Sequence, residues 1–330
     1  MKLSQGHLVI SLDFELYWGV FDVRSLEDYK SNIEKVSEII PRLLKLSDRY
    51  NIKLTFATVG FLLAKNKEEL IAYSPNSKPS YSKKNFSSYR LIEHIGNNEK
   101  EDPYHYATSL VSLIKQNPNH EIGSHTFSHY YCNEVGQTPE QFEADLLANI
   151  AIAKQQHGLS IKSIAFPRNQ INDDCLKICY KHGLTSYRGI EKHWMYDTHN
   201  TEKLENLKHR VYRLLDAYMN ISGHNTNDLQ THHGLVNIAS SRFLRSYSKK
   251  LSFLEATKIL RIKKGMTHAA KKKQVYHLWW HPHNFGENTE ENFKSLEEIF
   301  LHYSMLSHTY NFTSKTMTNL AELFSKEGND

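Results

Sequence analysis

Two histidines stand four residues apart in Gly123-Ser124-His125-Thr126-Phe127-Ser128-His129, directly after the strand-like run His120-Glu121-Ile122. On the first turn of a helix, positions i and i+4 share a face, so both imidazoles can reach one divalent cation. A carboxylate or thiolate must then complete the ligand set. The chain carries 20 histidines in 330 residues, enough to produce such a pair by chance, so the pair needs partners elsewhere.

Three other stretches supply them. The apolar run Leu8-Val9-Ile10-Ser11-Leu12 ends abruptly in Asp13-Phe14-Glu15. Ile164-Ala165-Phe166 ends in Pro167-Arg168-Asn169, and Val275-Tyr276-His277-Leu278-Trp279-Trp280 ends in His281-Pro282-His283. Buried strands that deliver polar groups at their C-terminal ends are how an α/β barrel builds its active-site face. Helical patterns separate these strands. One begins near Ser25, an N-cap with Asp28 in its first turn, carries Ile33, Val36, Ile40, Leu43 and Leu44 on one stripe, and has Pro41 as a potential kink. Another opens with the capping box Thr138-Pro139-Glu140-Gln141 and ends at Gly158. Further helices are predicted over 61–73, 107–116, 172–182, 203–218 and 253–273, and further strands over 52–59, 161–166, 184–189 and 235–244. Strand and helix in this rhythm argue for parallel βαβ units. Residues 74–106 lack periodicity, and a connection that long is either a substrate-covering insertion or partly disordered.

These four stretches, in this order, resemble the polysaccharide deacetylase family (the NodB-homology domain, carbohydrate esterase family 4). The resemblance runs from about residue 8 to 282. It implies a metal-dependent amide and ester hydrolase on a distorted (β/α) barrel, here of about seven parallel strands with surrounding helices and a long insertion after the second helix. No linker divides the chain, so 1–330 reads as one domain closed by helices over 290–330. The segment His125-Thr126-Phe127-Ser128-His129 matches the family's H-[ST]-x-x-H. The first motif departs from the common pair of adjacent aspartates, because the chain reads Asp13-Phe14-Glu15. Alternate residues of an extended strand point the same way, so both acids can face the pocket. By resemblance Asp13 is the base and Glu15 the metal ligand with His125 and His129, although the two acids can exchange roles. Arg168 is expected to pair with Asp13 and keep it ionised, and His281 to protonate the departing amine. His283 is its substitute if the register differs by two, and His277 is structural. The ion is expected to be Zn²⁺, with Co²⁺, Mn²⁺, Ni²⁺ and Fe²⁺ as alternatives. It would lower the pKa of a water and polarise the acyl carbonyl.

Tyr17, Trp18 and Trp280 are candidates for an aromatic wall against a sugar ring, with core packing as the other reading of the first two. Arg242, with Arg245 nearby, is a candidate for holding a phosphate. The expected substrate is an N-acylated sugar, nucleotide-sugar or glycan precursor of a cell-surface polysaccharide. A non-sugar linear or cyclic amide, or a non-catalytic metal- or glycan-binding relic, are the alternatives. The net charge of +5, from 41 basic against 36 acidic residues, and the absence of nucleic-acid motifs argue against RNA or DNA. No run of about 18 apolar residues suits a membrane span. The first apolar run is too short for a signal peptide, and Cys132, Cys175 and Cys179 read as free thiols, so a cytoplasmic protein is expected. Cys132, three residues past His129, is a remote candidate for a further ligand. The pair His232-His233 is not expected to bind metal, because adjacent side chains point apart.

Overall fold

The computed structural model describes residues 3–197 and 199–327. At its centre is β1 (His7–Phe14), buried at all eight positions. Its alternation sorts two surroundings. Leu8, Ile10, Leu12 and Phe14 belong to the main hydrophobic cluster with the helices, while Ser11 and Asp13 are buried on the other face. The remaining strands are β2 (Thr55–Thr58), β3 (Glu121–Ser124), β4 (Ser163–Ile164), β5 (Ser186–Tyr187), β6 (Gln230–His232), β7 (Leu235–Asn237), β8 (Arg242–Phe243), β9 (Val275–Trp280) and β10 (Thr313–Lys315). They form one sheet in the order β6-β7-β5-β4-β3-β2-β1-β9-β8, with β10 also paired to β1. Every pairing is parallel except the β6–β7 hairpin.

The predicted strand over 235–244 is the point where the sheet curls onto itself. Its first part pairs with β5 and its last part with β9, strands at opposite ends of the sheet path. Between them the Ser240 amide donates to Gly189 O at 2.9 Å and the Ser241 amide to His277 O at 2.8 Å. One segment cannot run straight along both neighbours, so it breaks into β7 and β8 and gives the barrel its distortion.

The predicted helix after Ser25 divides into Leu26–Glu34 and Val36–Arg49, with Pro41 inside the second. Ser25 caps the first by accepting the Asp28 amide at 3.2 Å. The capping box at Thr138 is formed on both sides and starts Pro139–His157, which ends on Gly158 in the left-handed conformation. The segment 74–106 contains two short 3₁₀ turns, Lys84–Phe86 and Ser88–Leu91. Its Tyr81 and Phe86 pack with Tyr131 in a small separate cluster, so it lies against the chain that follows the paired histidines. The final helix, Met317–Glu327, places Met317 and Leu320 among Val9, Val236 and Val275, away from the strand ends that carry Asp13 and His281.

Candidate metal and catalytic centre

Glu15 follows β1 directly, and Leu16 then takes a left-handed conformation (φ 48°) that turns the chain into a 3₁₀ segment, Leu16–Gly19. The turn folds Gly19 against the Glu15 side chain. A Cβ on Gly19 would lie 1.8 Å from the Glu15 carboxyl carbon, so the glycine is the cradle that lets this carboxylate sit where it does.

The paired histidines do not lie on a helix, contrary to the i, i+4 expectation. Residues 125–129 form a bent loop after β3, with Thr126 at φ 62° and His129 at φ 58°. A left-handed β-branched residue is strained and persists only where its surroundings over-determine it. Here the determinant is Asp145, on the helix Pro139–His157. It accepts the amides of Phe127 (2.7 Å) and Ser128 (3.1 Å) and the Ser128 hydroxyl. Burial pushes the Asp145 carboxyl up to about 6 despite these three donors. The loop brings the two imidazole rings within 5.1 Å.

Both rings meet Glu15. His125 Nε2 and His129 Nε2 each lie 3.2 Å from Glu15 Oε2. His125 donates its Nδ1 proton to Ala165 O at 2.7 Å, so in the neutral ring Nε2 presents a lone pair to the carboxylate. Two acceptors at that distance repel unless a cation stands with them. Buried His129 Nδ1 has no partner among the described residues. Burial would raise the Glu15 carboxyl, yet the positive charge that His281, His125 and His129 carry when protonated would hold it well below the usual range, the same pull a bound cation would exert. Burial lowers His129, which favours its neutral, ligating form. An ionised carboxylate with two neutral imidazoles is a donor set that fits Zn²⁺ or a related divalent ion.

Asp13 faces the same pocket with a different partner from the one expected. Arg168 does not pair with it. At φ 55°, Arg168 directs its guanidinium to Asp22 (2.6 Å) and Thr201 (2.6 Å), 4.4 Å from the centre of the Tyr131 ring. Tyr131 in turn packs edge-on to His129, so Arg168 buttresses the histidine wall. The partner of Asp13 is Arg188, just after β5. Its two terminal nitrogens reach the two carboxylate oxygens at 2.5 and 2.8 Å, and it also donates to Asn169 and Ser11. Burial raises the Asp13 carboxyl, but Arg188, His125 and His281 together outweigh it and leave the group below its ordinary value. Arg188 can cross to β1 because the sheet curls. Its sequence signal was the same one that marked Arg168, a polar residue ending a predicted strand.

His281 is the most open of the pocket's imidazoles, with a side chain 24% exposed. Its Nε2 lies 3.7 Å from Asp13 Oδ2 and 3.5 Å from Glu15 Oε1. Asn284 donates to Nδ1 at 3.2 Å, which places the neutral ring's proton on Nε2, toward the carboxylates. His283 stacks on His281 but is buried, and burial lowers it to about 3. His277 lies deeper, donating from Nδ1 to Ile238 O and accepting the Ser11 hydroxyl at Nε2.

The remaining binding candidates fall outside the pocket. Trp280 is fully buried and stacked on Phe285, because strand alternation turns Trp279 and His281 inward and Trp280 toward the helices. Trp279 therefore lines the pocket in its place. Trp18 is buried against Phe61 and donates to His105 O at 2.8 Å, and Tyr17 donates to Arg24 O at 2.9 Å, so both are core residues. Arg242 is buried and bound to Asp216 at 3.0 Å, and lines no part of this cavity. Cys132 is buried with Cys175 and Phe142 and is not among the clustered ligands. His232 and His233 do not point apart. With His233 at φ 48° their rings lie 4.2 Å apart on the β6–β7 hairpin, beside Asp173 at the start of the helix Asp173–Lys181, and the group is largely exposed.

Glu15, His125 and His129 thus form one wall of a cavity of about 150 Å³, with Asp13 and His281 facing them and Arg168, Asn169 and Trp279 completing it. The model of the polysaccharide deacetylase family matches residues 21–187, which include His125, His129 and Arg168 but neither Asp13, Glu15 nor His281. No curated protein matches the sequence. Among solved structures, one from Mycobacterium smegmatis named as a polysaccharide deacetylase has 13% identity and a TM-score of 0.59, covering 98% of this chain and 92% of that one. One from Pseudomonas aeruginosa PAO1, also named as a polysaccharide deacetylase, has 12% identity and a TM-score of 0.55 over 97% and 90%. The structure named Puue allantoinase has 10% identity and a TM-score of 0.56 over 97% and 90%. At such identities the likeness establishes a shared fold. With the family match extending over slightly more than half its length, the chain belongs to the polysaccharide deacetylase family.

Proposed function

We propose that the chain is a metal-dependent hydrolase that removes an N-acyl group, N-acetyl first, from a sugar or glycan precursor of a cell-surface polysaccharide. The observation that carries this reading is the convergence of Glu15, His125 and His129 on one point, opposite an arginine-matched Asp13 and a partly open His281. Glu15 and the two histidines would hold a divalent ion, which when bound supplies Lewis acidity toward water and the acyl oxygen. Arg188 holds Asp13 ionised and aims it into the cavity, where Asp13 Oδ2 accepts the proton that water loses as it attacks the acyl carbon. His281 faces the same space with Nε2; in its imidazolium form it gives the Nε2 proton to the sugar nitrogen as the C–N bond breaks and is left neutral, to be recharged by the proton that Asp13 took from water. The products are a carboxylate and a free amine. Trp279 offers its ring to the sugar. Three free, buried cysteines suit a reducing compartment such as the cytoplasm.

Metal content by mass spectrometry, wild type against the double variant His125→Ala/His129→Ala, tests the reading together with acetate release from N-acetylated sugars. About one equivalent of metal in the wild type, little in the variant, and acetate release that follows the metal are expected. Negligible metal in both, after incubation with Zn²⁺, Co²⁺ or Mn²⁺, would overturn it.

A further inference from the structure

Beside the catalytic cavity lies a second one of about 170 Å³, and the two share Asn169, Leu204, Trp279 and His281. Trp279, which lines both, packs against Phe243 of the second cavity with ring centres 4.7 Å apart. Arg213 and Arg245 line this second cavity. Arg213 donates to the carbonyls of Met195 and Leu204, both neutral acceptors. The Arg245 side chain has no hydrogen bond or ion pair among the described residues. We propose that this cavity is a subsite for a phosphoryl group carried by the substrate, with Arg245 and Arg213 as its ligands. The inference rests on the deacylase reading and narrows its substrate to an N-acyl sugar bearing phosphate.

The charge balance supports an anion there. Nearby, the buried Arg242 and Arg261 are both matched to Asp216, at 3.0 and 2.9 Å. Tyr196 also gives its hydroxyl proton to Asp216, so that carboxylate is spent. Glu191 is the one carboxylate lining the cavity; it accepts the Ser240 hydroxyl on one oxygen, and burial raises its pKa. Two guanidinium groups therefore face at most one acid. Burial is the main cause that lowers both arginines; Arg245 and then Arg210 lower Arg213 further, against Tyr196 and Glu191, and Arg210 also lowers Arg245, against Tyr218 and Tyr196, as expected where positive charges crowd together. From Arg245 and Phe243 the surface continues into a groove of about 600 Å³ lined by Lys249 and Lys250, with Glu287 as its acid. Positive charge that extends beyond one guanidinium pair suits a phosphate or diphosphate better than a single carboxylate.

Calorimetric titration of inorganic pyrophosphate into the full-length protein tests the subsite without reference to turnover. Wild type is compared with Arg245→Gln, Arg245→Lys and His125→Ala/His129→Ala, each checked for an unchanged melting temperature. Arg245→Gln should weaken binding about tenfold or more, Arg245→Lys should recover part of it, and the double histidine variant should bind as wild type does. Equal affinity in wild type and Arg245→Gln overturns the proposal, and so does loss of binding in the histidine variant, which would place the anion at the metal centre. Competition by a nucleoside diphosphate against a short-chain alkyl phosphate identifies the source, nucleotide-linked or lipid-linked; competition by neither also overturns it. Pyrophosphate binding without any acetate release would instead count against the deacylase reading alone.

Discussion

Asp13 and Asp145 are both fully buried at the candidate centre, and they are held in opposite ways. Asp13 meets a guanidinium, which with the nearby His125 and His281 outweighs the burial that would raise its carboxyl. Asp145 meets only two amides and a hydroxyl, and burial lifts it to about 6. Dipoles orient a buried carboxylate but compensate its charge less well than a full opposite charge. The difference matches their tasks. Asp13 faces the cavity and, as the proposed base, must be anionic there, whereas Asp145 is a brace for the loop that carries His125 and His129.

Removing the charge partner should break this contrast most severely. Arg188→Met leaves Asp13 buried and unmatched, a loss of about 3–5 kcal/mol of stability at neutral pH. In the wild type the folded Asp13 pKa is depressed, so its contribution is present above the unfolded carboxylate range and fades as pH falls through the folded value. The deficit of Arg188→Met, read from urea unfolding, should therefore shrink as pH falls below about 4. A deficit independent of pH would mean that Arg188 acts by packing rather than by charge.

Asp145 should show the opposite sign. Its folded pKa is raised, so its contribution is complete below about pH 4 and is lost as pH rises through about 6. Relative to Asp145→Asn, the wild type should lose about 2–3 kcal/mol between pH 4 and pH 7. A constant difference across that range would contradict the assignment.

Gly19→Ala sharpens the comparison at the third buried acid, Glu15. The new methyl displaces a side chain rather than backbone, so the fold should tolerate it while metal affinity falls by roughly tenfold, measured by chelator competition. Unchanged metal affinity would show that Glu15 is not a ligand.

Much of this arrangement was legible beforehand because local pattern carries it. Apolar runs ending in acids or histidines marked β1 and β9, and the capping box marked the helix that bears Asp145. The irregular segment 74–106 was visible as a loss of periodicity, though not its packing against Tyr131. Trp279 and Trp280 show where pattern failed. Adjacent residues of one strand face opposite ways, and nothing in the pair itself says which ring meets the pocket and which meets Phe285.

The sequence by itself determined the alternation of strands and helices and the residue types at the strand ends, because propensity and burial act locally along the chain. It did not determine which charges meet. Arg168 and Arg188 each end a strand of the same sheet, and only the curl that places 235–243 between β5 and β9 brings Arg188, not Arg168, across to Asp13. The meeting of His125 with His129 was likewise decided by tertiary contact. Two left-handed residues, costly in isolation, are held by a carboxylate from another element. Pairing across a closed sheet depends on long-range geometry, and that information lies in the packing of the whole barrel rather than in any stretch of it.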